Sequence, residues 1–497
     1  MFQWLDHTRL KHLLCAITGA AALVAALVSL SWRMVHDTPI MLYLSNMVVN
    51  HGAVPYRDFF DMNLPGAYLV YGLIITMLGA TDFAVHFANM LFLAAIGVLL
   101  FFTCPKHLRL YAFFGVALAT LRCYQVQFAF VLQRELIALL PVSALLALAL
   151  RSASLTSPKS ILTGLLLAGL VLIKPQFLLY GIPQLVLLMM LCPNWRNRFY
   201  HLFIMGIAFS APILLCVIWL VQNGAWSSFL EIVQYWGLYG QMTFNYRFVT
   251  LAERIVCTLG GVWKMLVSPP YVVVAILGLF VIWVKQLFPR RVCIALAILF
   301  ILTLLIPALT GQFWGHHRMP FYYFALFLSG FLLSSNRFIV SCVCLPMAFF
   351  WISFTAIRVY QETAIKPAIS ALKHNVPDMF AAYLKAHVSP GDCAQPIDWT
   401  EGALHGMLIS DVPLATRFPY SFYFLHSVSH PLIQSLRNEF LDDLAKTPPR
   451  FLLEATATPW PSGIDTETRF QAFEDWRDAH YRIAEQGEFY RIWEFIP

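Results

Sequence analysis

Residues 36–72 read HDTPIMLYLSNMVVNHGAVPYRDFFDMNLPGAYLVYG and follow closely on an apolar run, residues 13–32. A membrane span needs about 20 apolar residues to cross about 30 Å of hydrocarbon, and this run is long enough. Three aspartates, Asp37, Asp58 and Asp61, fall within 25 residues of one another just after it. The stretch therefore places a cluster of acids directly beside a predicted membrane helix.

The composition of the whole chain is that of a membrane protein. Of its 497 residues, 59% are hydrophobic and 12% are charged, whereas soluble proteins are about 45–50% apolar and about 25% charged. Apolar runs of span length recur along the chain. The sequence predicts a mainly α fold, a polytopic transmembrane helical bundle with a small C-terminal α/β domain.

The basic residues predict how the chain crosses the membrane. Arg9 and Lys11 precede the first span, and each connection after an even-numbered span carries Lys or Arg and no acid. Positive loops stay on the cytoplasmic side, which predicts a cytoplasmic N-terminus and residues 359–497 outside a bacterial inner membrane, in the periplasm. The eleven predicted spans are residues 13–32, 83–103, 109–123, 135–150, 160–178, 180–192, 200–222, 270–287, 292–310, 320–335 and 338–358.

The charge differs between the two predicted domains. Residues 1–359 hold 22 basic and 8 acidic residues, and residues 360–497 hold 11 and 18. Because topology explains the basic excess, nucleic acid is an unsuitable partner. We predict a membrane domain over 1–358 and a periplasmic α/β domain over 359–497, in which no catalytic motif is visible.

The outer loop, residues 33–82, is predicted to hold two interfacial helices. Residues 65–80 are apolar but short, and counting them as a crossing would place the later positive loops outside. Just before them, Asp37 stands where an N-cap would, with Pro39 in the first turn of a second helix.

Asp37 is the first candidate for chemistry. A carboxylate near the membrane interface, with other acids close by, has the raised proton affinity that a general base needs. The alternative is an N-cap that satisfies free backbone amides. His36 stands beside it.

The segment PYRDFFD supplies a second group, with Tyr56, Arg57, Asp58 and Asp61. Two aspartates three apart can share a helical face and hold a divalent cation, for which they are weak candidates. The alternative is a polar loop with an Arg–Asp pair. We expect no certain cofactor, with a divalent cation as a possibility.

Lys174 stands about 14 residues into the fifth predicted span, about 21 Å from its inner end. An ionisable group at that depth usually marks a site, although a lysine can also extend to the interface. Pro175 is predicted to break the helix beside it and expose carbonyl groups.

More cations are predicted at the same outer side of the membrane. Arg134 precedes Glu135, with which it can simply pair, and aromatic residues surround the remaining cluster. Cations can hold a lipid-linked phosphate and stabilise it as a leaving group, while a carboxylate takes the proton of an incoming hydroxyl. These further cations are Arg247, His316, His317 and Arg318.

Residues 36–72, GLVLIKPQFLLYG (169–181) and GQFWGHHRMPFYYF (311–324) resemble the GT-C superfamily of integral-membrane glycosyltransferases. The resemblance is to the protein O-mannosyltransferase and aminoarabinose transferase branch, and PYRDFFDMNLPG looks like a bacterial subgroup. It implies that Asp37 is the general base and that Lys174 binds the phosphate of a polyprenyl donor. Thr38 departs from the family pattern, so the sugar and the acceptor do not carry over.

The predicted function is therefore an inverting transfer of a sugar from a polyprenyl-phosphate donor to a lipid, polysaccharide or protein acceptor on the periplasmic face. Membrane lipid is the other expected partner. A lipid or sugar transporter or flippase, and a non-enzymatic scaffold for envelope assembly, remain alternatives. The predicted donor phosphate-binding residues are Lys174, Arg57, Arg134, Arg247, His317 and Arg318, and those on the acceptor side are His36, Tyr56, Asp58 and Asp61.

Overall fold

A computed structural model describes residues 6–151, 154–192, 194–242, 250–267, 271–311, 313–365, 375–398, 402–456 and 465–497. The chain is mainly helical. The helices before residue 365 are α1 (His7–Ser29), α2 (Asp37–His51), α3 (Pro65–Leu78), α4 (Asp82–Thr103), α5 (Arg109–Phe130), α6 (Arg134–Arg151), α7 (Ser157–Ile173), α8 (Ile182–Leu191), α9 (Trp195–Gln222), α10 (Trp226–Met242), α11 (Leu251–Val267), α12 (Tyr271–Val284), α13 (Arg290–Thr310), α14 (Met319–Ser329) and α15 (Arg337–Ala364).

Five of these helices, α1, α4, α9, α13 and α15, are long and apolar enough to cross a membrane, and α11 with α12 forms a sixth, bent candidate. Shorter apolar helices include α3 and α7. The protein is thus an integral membrane protein, while the predicted count of eleven spans stays a prediction. Helix α10, in a stretch expected to be a loop, escaped prediction because it has no continuous apolar run.

The chain divides into two compact units. The first unit comprises Met1–Arg33, Val85–Cys216 and Thr258–Thr363, and the second comprises Met34–Ala84, Val217–Cys257 and Ala364–Pro497. The second unit thus combines the outer loop and α10 with the C-terminal residues. The sequence-based boundaries, 1–358 and 359–497, stay predictions.

Helix packing in the first unit depends on glycine. A Cβ added to Gly115 of α5 would lie 2.4 Å from the Phe327 carbonyl oxygen of α14. A Cβ added to Gly330 would lie 2.4 Å from the Tyr111 carbonyl oxygen. Small residues let helix backbones approach closely in membranes, so these two positions set the contact between α5 and the end of α14.

The second unit contains a four-stranded sheet. Strands β1 (Ala394–Pro396), β2 (Phe451–Ala455), β3 (Tyr481–Gln486) and β4 (Tyr490–Phe495) pair in the order β1-β2-β4-β3. Only the β1–β2 pair is parallel. The other helices of this part are α16 (Val376–His387), α17 (Ala403–Ser410), α18 (Pro431–Lys446) and α19 (Gln471–His480). The chain therefore contains a small sheet, while the predicted separate C-terminal α/β domain stays a prediction.

Candidate functional site

Lys174 lies at a break between two helical segments of the first unit. Helix α7 ends at Ile173, Lys174 is extended with φ −153° and ψ 129°, and a 3₁₀ segment, Pro175–Gly181, follows. Proline disfavours the helical conformation of the residue before it. The predicted interruption beside Lys174 is confirmed, and it lets the lysine side chain leave the helical path.

The Lys174 ammonium group is paired with a buried acid. It donates a hydrogen bond to Glu135 Oε1 in the first turn of α6, and it lies 3.3 Å from His317 Nε2. His317 Nε2 is 3.4 Å from the same Glu135 oxygen. The Glu135 side chain is 3% exposed and that of Lys174 12%. Charges buried to this degree are expected to pair. We name Glu135, Lys174, His316 and His317 the Lys174 cluster.

The Lys174 cluster contains a group of atoms that can bind a metal. Glu135, His316 and His317 each offer one ligand atom, and these atoms lie within 4.8 Å of one another. The second carboxylate oxygen of Glu135 is buried and has no hydrogen-bonding partner among the described residues. Imidazole nitrogen with carboxylate oxygen is a donor set that suits Zn²⁺. The residues present therefore fit a divalent cation.

Three residues that the sequence predicted near this cluster are Glu135, Arg318 and Arg247. Glu135 was expected to pair with Arg134, whereas its hydrogen-bonding partner is Lys174. The sequence contains an indication of this pairing, because Glu135 and Lys174 stand near the outer ends of consecutive predicted spans. Arg318 is the N-cap residue of α14 and directly follows His317. Arg247, also a predicted phosphate ligand, lies outside the described residues.

Asp37 lies in the second unit, at the start of α2. The N-cap residue is His36, so the expectation that Asp37 caps the helix is wrong, and Asp37 is the first helical residue. His36 Nδ1 lies 2.8 Å from Asp37 Oδ1. The Asp37 side chain is 23% exposed. The imidazole therefore orients a carboxylate that solvent or substrate can still reach.

The backbone of His36 is strained. Its φ is 65° and its ψ −131°, a region that residues other than glycine rarely occupy. Such strain costs about 1–3 kcal/mol and persists where the surrounding structure imposes it, often at functional sites. The strained residue is the one that contacts the Asp37 carboxylate.

Asp58 forms an ion pair with its neighbour. Arg57 donates to it through Nε at 2.7 Å and Nη2 at 2.8 Å, and the Val54 amide adds a third hydrogen bond at 2.7 Å. The Arg57 hydrogen bond holds the pKa of the Asp58 carboxyl below its ordinary value. Arg57 also donates to the Asn223 carbonyl at 2.9 Å. The polar-loop alternative describes these two residues well.

Asp61 is buried, at 1% exposure. Its carboxylate accepts hydrogen bonds from Tyr68 at 2.5 Å, Asn63 Nδ2 at 2.7 Å and Tyr420 at 3.0 Å. Residues 57–64 are not helical, so the expectation that Asp58 and Asp61 share a helical face is wrong. A buried carboxylate with these partners holds its loop in place.

The C-terminal part of the second unit holds the same loop. Tyr423 donates to the Phe60 carbonyl at 2.7 Å, and the Phe60 amide donates to the Arg417 carbonyl at 2.5 Å. The Arg417 guanidinium pairs with Glu231 at 2.8 Å and with Glu439. No local sequence signal predicts these contacts, because their partners lie far apart in the chain.

Tyr56 has a structural place in this loop. It is fully buried, its φ is 73°, and its hydroxyl donates to the Asn63 carbonyl at 2.7 Å. Contact with an acceptor, which the sequence predicted, has no support in this position.

The described residues combine long apolar helices, a helical break at Lys174 and a four-stranded sheet in the C-terminal part. Two solved structures of ArnT from Cupriavidus metallidurans share this fold. The structure bound to undecaprenyl phosphate aligns with a TM-score of 0.60 at 12% identity, over 96% of this chain and 97% of that chain. The apo structure gives 0.59, with the same identity and coverage.

Comparisons by sequence find no relative of the chain. No protein-family model matches the chain, and no curated protein matches it. At 12% identity the likeness to ArnT establishes the fold.

Proposed function

We propose that the chain is an integral-membrane glycosyltransferase, which moves a sugar from a polyprenyl-phosphate donor to a hydroxyl group of an envelope acceptor. The observation that carries the proposal is the Lys174 cluster, in which a lysine and two histidines surround one buried acid, within a fold shared with ArnT over nearly the whole chain. ArnT was crystallised with undecaprenyl phosphate.

The Lys174 cluster is proposed to bind the donor phosphate. An ammonium group can exchange its Glu135 partner for a phosphate oxygen, because both are anionic oxygens. His317 and Arg318 stand next in sequence to each other and can supply further N–H donors. When bound, a divalent cation on Glu135, His316 and His317 would add positive charge near this phosphate.

Asp37 is proposed to take the proton of the acceptor hydroxyl. The acceptor oxygen then attacks the anomeric carbon from the face opposite the phosphate. The bond between that carbon and the phosphate oxygen breaks, and its electron pair leaves with the polyprenyl phosphate. One displacement inverts the anomeric centre. A positioned general base contributes about 10²–10⁴-fold to such a step, and His36 orients this one.

The remaining predicted residues have supporting roles in this proposal. Asp58, Asp61 and Tyr56 maintain the loop after α2 rather than touch the acceptor. Residues 1–358 are proposed to be the membrane domain and 359–497 a periplasmic domain, in a bacterial inner membrane with the N-terminus in the cytoplasm.

A deletion strain tests this function whichever sugar is transferred. We expect mass spectrometry of its envelope glycans to show the loss of one sugar modification, and its lipid extract to contain more of one polyprenyl-phosphate sugar. Purified wild-type protein added to that extract together with envelope material of the deletion strain, which supplies the unmodified acceptor, should transfer the sugar and release free polyprenyl phosphate, whereas Lys174→Met should not. Unchanged glycans together with no accumulated lipid-linked sugar would exclude the transferase.

A further inference from the structure

Arg122 is a charged residue far inside an apolar helix. It stands 13 residues after Arg109, the first residue of α5, which corresponds to about 20 Å along the helix. The basic residues at the start of α5 belong to a predicted cytoplasmic loop, so Arg122 is expected in the outer half of the membrane. Ionisable residues at such depth are costly and usually functional.

Aromatic rings surround the Arg122 guanidinium. Its central carbon lies 4.5 Å from the ring centroid of Tyr322, 5.8 Å from that of Tyr271 and 5.9 Å from that of Trp351. The three rings are only 2–4% exposed, whereas Arg122 itself retains intermediate exposure. We name these four residues the Arg122 cage. Its rings attract the cation and orient its planar group.

The polar contacts of the cage leave the arginine charge without a counter-ion. Arg122 Nη1 donates to Gln125 Oε1 at 3.1 Å, and the Gln125 amide donates to Thr355 Oγ1 at 2.9 Å. Arg122 Nε is buried without a hydrogen-bonding partner in the described part of the chain. Throughout that part, no carboxylate lies within 4.0 Å of the guanidinium.

A second arginine, Arg318, stands close in sequence to the cage residue Tyr322. It precedes Tyr322 by one helical turn, with the Tyr322 amide 3.1 Å from the Arg318 carbonyl oxygen. Arg318 also forms no ion pair with a described residue. Arg318, one helical turn from the cage residue Tyr322, and Arg122 thus both lack an acidic partner among the described residues.

We propose that Arg122 and Arg318 form a site for a phosphate monoester, and that Arg122 is a donor-binding residue beside the Lys174 cluster. A guanidinium fork matches the geometry of phosphate oxygens, and a bound phosphate neutralises the two charges. Arg318 directly follows His317 of the Lys174 cluster in the sequence. The assignment rests on the proposed function for its ligand, the polyprenyl phosphate.

The test is ligand binding to the full chain in phosphatidylcholine nanodiscs, measured by native mass spectrometry with polyprenyl phosphate and with uncharged polyprenol. Arg122→Gln should weaken polyprenyl phosphate binding by about tenfold or more, as expected for the loss of a charge-assisted hydrogen bond. Polyprenol binding should not change. If inorganic phosphate competes with polyprenyl phosphate for the wild type, the site also accepts free phosphate. If it does not compete, the site is restricted to the lipid-linked form. Either result supports a phosphate site.

Arg109 provides a matched control. It lies on the same helix, and its guanidinium lies 5.1 Å and 5.5 Å from the rings of Phe102 and Phe101. Arg109→Gln should bind polyprenyl phosphate as the wild type does. Arg122→Lys, which keeps the charge, covers the case in which Arg122→Gln fails to fold, and it should weaken binding by an intermediate factor.

Wild-type affinity in folded Arg122→Gln would overturn the assignment and leave the cage with a structural role only. The outcome is separable from that of the proposed function. If Arg122→Gln loses polyprenyl phosphate binding while the wild-type protein transfers no sugar, the phosphate site is supported and the transferase is rejected. If the wild type transfers sugar while Arg122→Gln binds polyprenyl phosphate unchanged, the transferase is supported and the phosphate site is rejected.

Discussion

The start of α2 and the loop that follows α2 both contain aspartates, yet the two regions use them differently. Asp37 has a partly exposed side chain, an imidazole contact at 2.8 Å and a strained neighbour. Asp61 is 1% exposed, and two tyrosine hydroxyls and an asparagine amide donate to its carboxylate.

The difference separates chemistry from scaffolding. A general base must reach a substrate proton, and of Asp37 and Asp61 only Asp37 has a partly exposed side chain. The Asp61 carboxylate is enclosed by donors from Asn63, Tyr68 and Tyr420. The three aspartates are close in sequence, but burial distinguishes Asp61 from Asp37, and the ion pair with Arg57 distinguishes Asp58.

The largest expected effect belongs to Asp37→Asn. Removal of a positioned base should lower the rate of sugar transfer by about 10²–10⁴-fold, while the thermal unfolding midpoint stays near that of the wild type. Transfer rates with the donor-containing lipid extract and unfolding in detergent are the measurements. Wild-type activity in the folded variant would remove Asp37 from the mechanism.

Asp61→Ala should act mainly on stability. It removes the acceptor of four hydrogen bonds, two of them from buried tyrosine hydroxyls, for a loss of about 3 kcal/mol in the free energy of unfolding. Denaturation in detergent measures this loss. A drop in transfer rate without loss of stability would mean that Asp61, too, has a catalytic role.

Tyr420→Phe and Tyr423→Phe should show smaller losses, about 1 kcal/mol each, because each removes one donor to the loop. The two variants report whether the C-terminal residues hold the loop after α2, since Tyr420 binds Asp61 and Tyr423 binds the Phe60 carbonyl. Unfolding curves equal to that of the wild type for both would contradict this role.

The smallest effect is expected from the pH dependence of Asp58. Its pKa is lowered in the folded protein, chiefly by the Arg57 hydrogen bond. Its contribution to stability is therefore present above the unfolded pKa of about 3.9 and is lost as the pH falls through the lower, folded value. Unfolding midpoints of wild type and Asp58→Asn should converge in that acidic range. A difference that stays constant down to the lowest pH would exclude the titration of Asp58 as its cause.

Local chemistry predicted several features well. Proline explains both the start of α3 at Pro65 and the break after Ile173. Glu135 could have been predicted as the partner of Lys174, because the sequence places both residues at the same predicted side of the membrane.

Features that depend on packing escaped prediction. Tyr420 stands 359 residues after Asp61, and Arg417 joins Glu231 to Glu439. Side chains so far apart in sequence meet only when the chain has folded, and nothing in their own segments indicates the partner. The uncompensated charge of Arg122 was likewise visible only once its neighbours were known.

Chemical rescue of Asp37→Ala is the most direct test of the claim that Asp37 is the proton acceptor. The substitution leaves space for a small carboxylic acid, so formate should restore sugar transfer in Asp37→Ala by about tenfold or more and should leave Asp61→Ala unchanged. Full activity of Asp37→Ala without formate, or equal rescue of both variants, would contradict the assignment.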